Sequence, residues 1–175
     1  MNTAAKSSEH ALTERATFAA VLVALVRQRC VETGSNRTSR TGLQLRVPVQ
    51  ERPSVRRGFD ALIEHGILAM SGEHIGLTAQ GKIFSAYCRR MRAERLHGAD
   101  DVRDDDTLHR LLDAIGADPR LDPDHDIDDI VSTLPGRLEE YRLPPNPSSR
   151  IPLLWIVLGL LVALVGVLLL ARPPH

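Results

Sequence analysis

Aromatic side chains are scarce: three Phe, two Tyr and one Trp among 175 residues. A surface that holds sugars or unpaired bases by stacking needs more than these, so such functions are disfavoured. Cysteine is rarer still. Cys30 and Cys88 fall outside any CxxC or Cys/His ligand spacing, which argues against a zinc site or a disulfide framework and fits a reduced compartment. Catalytic signatures are missing too. His65, His74, His97, His109 and His125 show no HExxH or paired-ligand spacing, and no Ser, Cys or Asp sits in a nucleophile elbow or a Gly-rich phosphate loop. The chain is therefore expected not to be an enzyme and to use no cofactor and no metal. Asp122, Asp124, Asp126 and Asp128 imitate the spacing of a calcium loop, but Ile127 stands where that loop needs Gly and Thr133 where it needs a bidentate Glu. Solvated aspartates at a helix start, complementing its dipole, account for them better.

Net charge is also absent, at +0 with 22 basic and 22 acidic residues, yet the zero conceals a division. Residues 1–96 carry 15 Lys and Arg against 8 Asp and Glu, a net of +7, whereas residues 97–150 carry 6 against 14, a net of −8. One half can meet a polyanion, and the other can cover the first.

Aliphatic residues are abundant, so the core is expected to be aliphatic and mostly helical. The longest apolar run is residues 151–171, IPLLWIVLGLLVALVGVLLLA, 21 residues without a charge. At about 1.5 Å per residue it reaches roughly 30 Å, the thickness of a bilayer core. It predicts a single-pass, tail-anchored protein of the inner (cytoplasmic) membrane. Arg137, Arg142 and Arg150 before the span, against Arg172 after it, predict a cytoplasmic N-terminal domain. Gly159, Ala163 and Gly166 share one face of this helix and predict a membrane-helix dimer face. Residues 16–26, ATFAAVLVALV, are too short to span and lack a cleavage site, so they read as a buried helix from near Ser8 to near Gly34. That helix is apolar on more faces than one small domain readily covers, a second reason to expect a homodimer.

Residues 34–42 form a loop by composition, with Arg37 and Arg40 in it. Leu43, Leu45, Val47 and Val49 alternate with polar residues or Pro48, which predicts a short edge strand. Pro53 can open a helix through Val55, Phe59, Leu62 and Ile63 that ends at Gly66. Residues 67–77 predict a hairpin turning at Ser71 and Gly72, and Thr78 can cap a further helix through Ile83, Phe84, Tyr87 and Cys88. In the acidic half, Leu108, Leu111, Leu112 and Ile115 define one amphipathic stripe. Ile127, Ile130, Val131, Leu134 and Leu138 define a second, interrupted by Pro135. Each must pack on the rest of the chain or on a partner. The expected divisions are 1–96, an acidic helical segment 97–142, a Pro/Ser linker 143–150 and the span 151–171.

The stretch ALIEHGILAMSGEHIGLTAQGK, residues 61–82, resembles bacterial winged helix-turn-helix regulators. In these a recognition helix ends in a Leu-x-x-x-Gly turn, a two-stranded wing follows, and a Leu-Thr-x-x-Gly step opens the next helix. The matching residues are Leu62, Gly66, Leu77, Thr78 and Gly81, and the resemblance covers roughly residues 10–95. It implies a mainly α, winged-helix-like fold with a small hairpin wing, followed by acidic amphipathic helices. The sequence departs from the pattern at residues 43–53, where the helix before the recognition helix is short or missing. The fold has two uses. As a membrane-anchored DNA-binding regulator it would present Ser54, Arg56 and Arg57 to the major groove of duplex DNA, with Arg37, Arg40 and His74 near the backbone. As a tail-anchored adaptor it would recruit a cytoplasmic protein partner. A helix within residues 40–53 packed across the recognition helix favours DNA; an edge strand there favours protein.

Overall fold

A computed structural model describes residues 3–97 and 106–143, with side chains over 14–92 and 107–143. The order is α1 (Thr3–Thr33), β1 (Thr38–Ser39), α2 (Arg40–Arg46), α3 (Arg52–Glu64), β2 (Leu68–Ser71), β3 (His74–Leu77), α4 (Ala79–His97), α5 (Asp106–Ala117), α6 (Asp128–Val131) and α7 (Leu138–Tyr141). Single 3-10 turns lie at Val49–Glu51 and Pro119–Leu121. The three strands form one antiparallel sheet in the order β1-β3-β2. The described residues belong to one compact unit, Met1–Pro145.

The apolar centre of α1 is the axis around which the rest is laid. Phe18, Ala19, Val21, Leu22 and Val26 are fully buried, because α3, α4, α5 and β3 all pack on α1, leaving the strip at Ala24 part-exposed. The α5 stripe expected from the sequence, Leu108, Leu111, Leu112 and Ile115, is buried in that same core, so the acidic segment packs on the body of its own chain. This removes the first-helix argument for a homodimer: the surplus apolar face is covered from within.

Residues 43–49 correct an expectation. Their alternation predicts a strand, but residues 43–46 belong to the helix α2 and Val47 follows as its C-cap, for a reason visible in Leu43, Leu45, Val47 and Val49. Leu43 and Val47 stand four apart and are buried, whereas Leu45 and Val49 are exposed, at 62% and 71%. Burial therefore follows the helical period and not the alternation. Ser39 caps this helix, its hydroxyl accepting from the Gly42 N–H at 3.1 Å. The third strand, β1, also adds to the two-stranded wing that was expected.

The later turns and caps form where the sequence predicts them. Pro53 lies in the first turn of α3. Gly66 takes φ +69, and Ile67 N–H donates to Leu62 O at 2.9 Å, closing the C-terminus of α3 with a left-handed residue. Thr78 Oγ1 accepts from Gly81 N–H at 2.9 Å and donates to Gly66 O at 2.6 Å, so one hydroxyl caps α4 and ties it to the end of α3. The second acidic stripe does not make one helix. Ile127, Ile130, Val131 and Leu134 are buried, but Pro135 and Gly136, at φ +138, separate two single helical turns.

The membrane expectation is also corrected. Among the described residues no helix is long and apolar enough to cross a membrane. The longest, α1, has 31 residues, but Lys6, Glu9, Glu14, Arg15, Arg27, Arg29 and Glu32 bracket its short apolar centre, which the core already occupies. Residues 151–171, with Gly159, Ala163 and Gly166, lie outside the described residues, as does the linker from residue 144. The tail-anchored, single-pass, inner-membrane reading is withdrawn on this finding.

Candidate nucleic-acid interface

Arg40 opens α2 and joins three elements. Its backbone N–H donates to Glu73 O at 2.9 Å in the wing turn, and its guanidinium reaches Asp60 Oδ1 at 2.8 Å and Arg56 O at 3.2 Å, both on α3. With its side chain only 18% exposed, Arg40 fixes the wing against α3 and has little surface left for a ligand. Arg52 does similar work one turn earlier, donating to Val47 O at 3.3 Å and Leu45 O at 3.5 Å across the link between α2 and α3.

The backbone that Arg40 holds shapes a polar concavity of about 420 Å3 between the end of α1, the loop before β1, and the wing. Arg37 and His74, both exposed, line it together with Arg29, Ser39 and Ser71. Pairing of Ser39 and Ser71 with His74 on either side of β3 brings these residues to one place. Arg29 was not anticipated, although ending α1 at Gly34 puts it little more than one turn from the loop. It shares Glu32 with Arg46, each at 3.0 Å, and hydrogen bonds from Arg29 first, then Gln28 and Arg46, hold the Glu32 carboxyl below its usual range. One carboxylate set against two guanidiniums leaves the rim positive.

The six expected contacts thus separate. Arg37 and His74 share the concavity, Arg40 braces it, and Arg56 is exposed on α3. Ser54 is a correction: it is fully buried, and its hydroxyl donates to Glu51 O at 2.8 Å, so it closes the start of α3 from inside and cannot reach a groove. Arg57 is held by Asp124 at 2.6 Å.

That last pair is one of a row. The segment from Asp118 to Asp129 lies along α3 and the start of α1: Arg15 grips Asp122 through two 2.6 Å bonds, Arg120 reaches Glu64 at 2.7 Å, and Gln50 donates to Asp129 at 3.1 Å. His65 Nε2 lies 3.0 Å from Asp118 Oδ2. The buried Glu51 carboxylate meets His125 Nδ1 at 3.3 Å. The aspartates that mimic a calcium loop are largely engaged by protein donors, Asp126 accepting from Asp128 N–H at 3.1 Å. Comparison with known proteins adds no relative, since no protein family, no curated protein and no solved structure matches the chain.

Proposed function

We propose that the chain is a winged-helix DNA-binding regulator, reading duplex DNA through Arg56 on α3 and holding the backbone through Arg37 and His74. The observation that carries this reading is α2. A helix packed immediately before α3 supports a helix-turn-helix reading, which an edge strand at residues 43–49 would have denied. Two unpaired guanidiniums, Arg37 and Arg56, then have no ion-pair duty among the described residues and are free for phosphate oxygens or guanine edges. The acidic segment narrows the available surface by occupying Arg57.

The full chain, titrated into a labelled duplex, is expected to bind more weakly as salt rises, because neutralised phosphates release counterions. Arg37→Ala should weaken all sequences alike. Arg56→Ala should cost about 1–3 kcal/mol of discrimination between a selected site and random DNA. Ser54→Ala should lower stability without changing discrimination. Absence of salt-sensitive binding at low ionic strength would leave the second reading, an adaptor for a protein partner. That reading is favoured by Leu45 and Val49, which expose apolar surface on the link between α2 and α3.

A further inference from the structure

A second cavity, of about 280 Å3, lies between α1, α4 and the turn that enters α7. Its walls are mostly apolar, with Ala20, Val23 and Ala24 of α1 facing Leu134 and Tyr141. Its rim carries arginines that differ in what they have to bind. Arg92 is fully engaged: it donates to Glu140 Oε2 at 2.7 Å, Pro135 O at 2.7 Å and Tyr141 Oη at 3.1 Å, and lies 4.9 Å over the Tyr141 ring. It serves to fasten the α7 turn against α4. Arg27 and Arg89, in contrast, have no ion-pair partner among the described residues.

Two guanidiniums on one cavity lining, neither with an ion-pair partner among the described residues, are an unfavourable arrangement. Partial burial, and then the charge of Arg89, hold the Arg27 guanidinium below its ordinary value. Glu32, on the same rim, is already engaged, its Oε2 by Arg29 and Arg46 and its Oε1 by the Gln28 amide. Beside them Gln28 Oε1 is buried without a hydrogen-bond partner, while its amide nitrogen donates to Glu32 at 3.0 Å. An apolar chamber with two unneutralised cations at its mouth describes a site that an anion with a hydrocarbon body would complete, the Gln28 acceptor taking no part in holding that anion.

We propose that this cavity binds a small carboxylate carried on a short aliphatic chain, its anion between Arg27 and Arg89 and its hydrocarbon against Val23, Ala24 and Leu134. The chamber sits at the low end of small-ligand pockets, which favours a short chain over a nucleotide or a peptide. The inference stands apart from the DNA reading, since none of these residues lines the concavity of Arg37 and His74 except through the neighbouring Glu32 network.

Calorimetric titration of the full chain tests it, with hexanoate as probe and 1-hexanol and inorganic phosphate as the apolar and anionic halves of that probe. Hexanoate is expected to bind saturably at millimolar or lower concentration, and each half at least about tenfold more weakly. Arg27→Gln and Arg89→Gln should each weaken hexanoate by about tenfold, Ala24→Leu should abolish binding by filling the chamber, and Arg110→Gln, on the exposed side of α5, should change nothing. Circular dichroism of each variant confirms an unchanged fold. The proposal is overturned by the absence of saturable hexanoate binding below about 10 mM, by hexanol or phosphate binding as well as hexanoate, or by unchanged hexanoate affinity in folded Arg27→Gln and Ala24→Leu proteins.

Discussion

Leu121→Ala should destabilise the whole body, although residue 121 lies in the acidic half. Leu121 is fully buried at the end of the 3-10 turn, and its Cδ2 sits 3.7 Å from the point where a Cβ on Gly58 would be. Removing a buried leucine side chain costs about 2–5 kcal/mol, the upper part applying where neighbours cannot collapse into the void. Here they cannot do so easily. On one side Gly58 has no side chain to move, and on the other Leu22 and Phe18 are themselves fully buried in the centre of α1. A loss of about 3–4 kcal/mol follows, a large share of the roughly 5–15 kcal/mol that a domain possesses. Urea unfolding of the full chain, followed by far-ultraviolet circular dichroism, reads this directly. With a slope of about 2 kcal/mol/M, the midpoint should fall by about 1.5–2 M in a single transition. A midpoint that moves by less than about 0.3 M, or a split transition in which most of the helical signal survives at the original midpoint, would show that the two halves fold separately and refute the reasoning.

Gly81→Ala should be nearly as damaging: an added Cβ would lie 2.0 Å from the Ile67 carbonyl oxygen, a backbone atom that cannot give way, so a net loss of about 3 kcal/mol is expected in the same urea assay despite the helix-propensity gain. Asp124→Asn should do little to stability, under about 1 kcal/mol, because its pair with Arg57 is about 40% exposed on both sides; on the DNA reading it should raise duplex affinity by at most about fivefold, and a fall in affinity would refute a covering role for Asp124. A hydrogen bond from Arg120 holds the Asp118 carboxyl down at about 2, against an ordinary 3.8. The stabilisation from this depressed value is complete above pH about 4 and is lost as pH falls through about 2. Wild type should therefore exceed Asp118→Asn by on the order of 1–2 kcal/mol at pH 6, allowing for the exposure of Arg120, with most of that difference gone at pH 2. An undiminished difference at pH 2 would contradict the linkage.

What the sequence made legible depended on whether the signal was local. The caps at Thr78 and the turn at Gly66 could be read because their hydrogen bonds close within a few residues or demand a conformation that glycine tolerates. Residues 43–49 misled because an alternation of four apolar residues, Leu43, Leu45, Val47 and Val49, contains the i, i+4 pair Leu43 and Val47 as a subset, and only burial chooses between the two periods. Ser54 was misplaced for a related reason. It precedes Val55, Gly58 and Ala61 on the inward face of α3, but a serine beside arginines reads as polar surface until its hydroxyl is seen to bond Glu51 O. The strand β1 has two residues, too few for any periodicity, and exists because β3 offers it an edge.

The opposite charges of the two halves were legible as totals, but not what they do to each other. The contacts between them are of two kinds with different responses to salt. Arg57 with Asp124 is a partly exposed pair that screening weakens, whereas Leu121, Ile127, Ile130 and the α5 stripe are held by burial that salt does not loosen. Raising ionic strength should therefore leave the acidic segment in place even where its ion pairs fade, so it cannot behave as a simple electrostatic flap that a competing polyanion lifts. A polyanion has to use the arginines left uncovered in the folded chain. Around α3 and the wing, among the described residues, these are Arg37 and Arg56, with Arg29 and Arg46 half-neutralised by Glu32 and with Arg27 and Arg89 at the cavity between α1 and α4 instead, a smaller positive surface than the net +7 of residues 1–96 implies. Each neutralised phosphate contributes a slope of about −0.9 to the dependence of log affinity on log salt. If duplex DNA binds the folded chain through this surface, that slope should lie near −2 to −4, and a slope near −7 would mean that the acidic segment leaves α3 when DNA arrives.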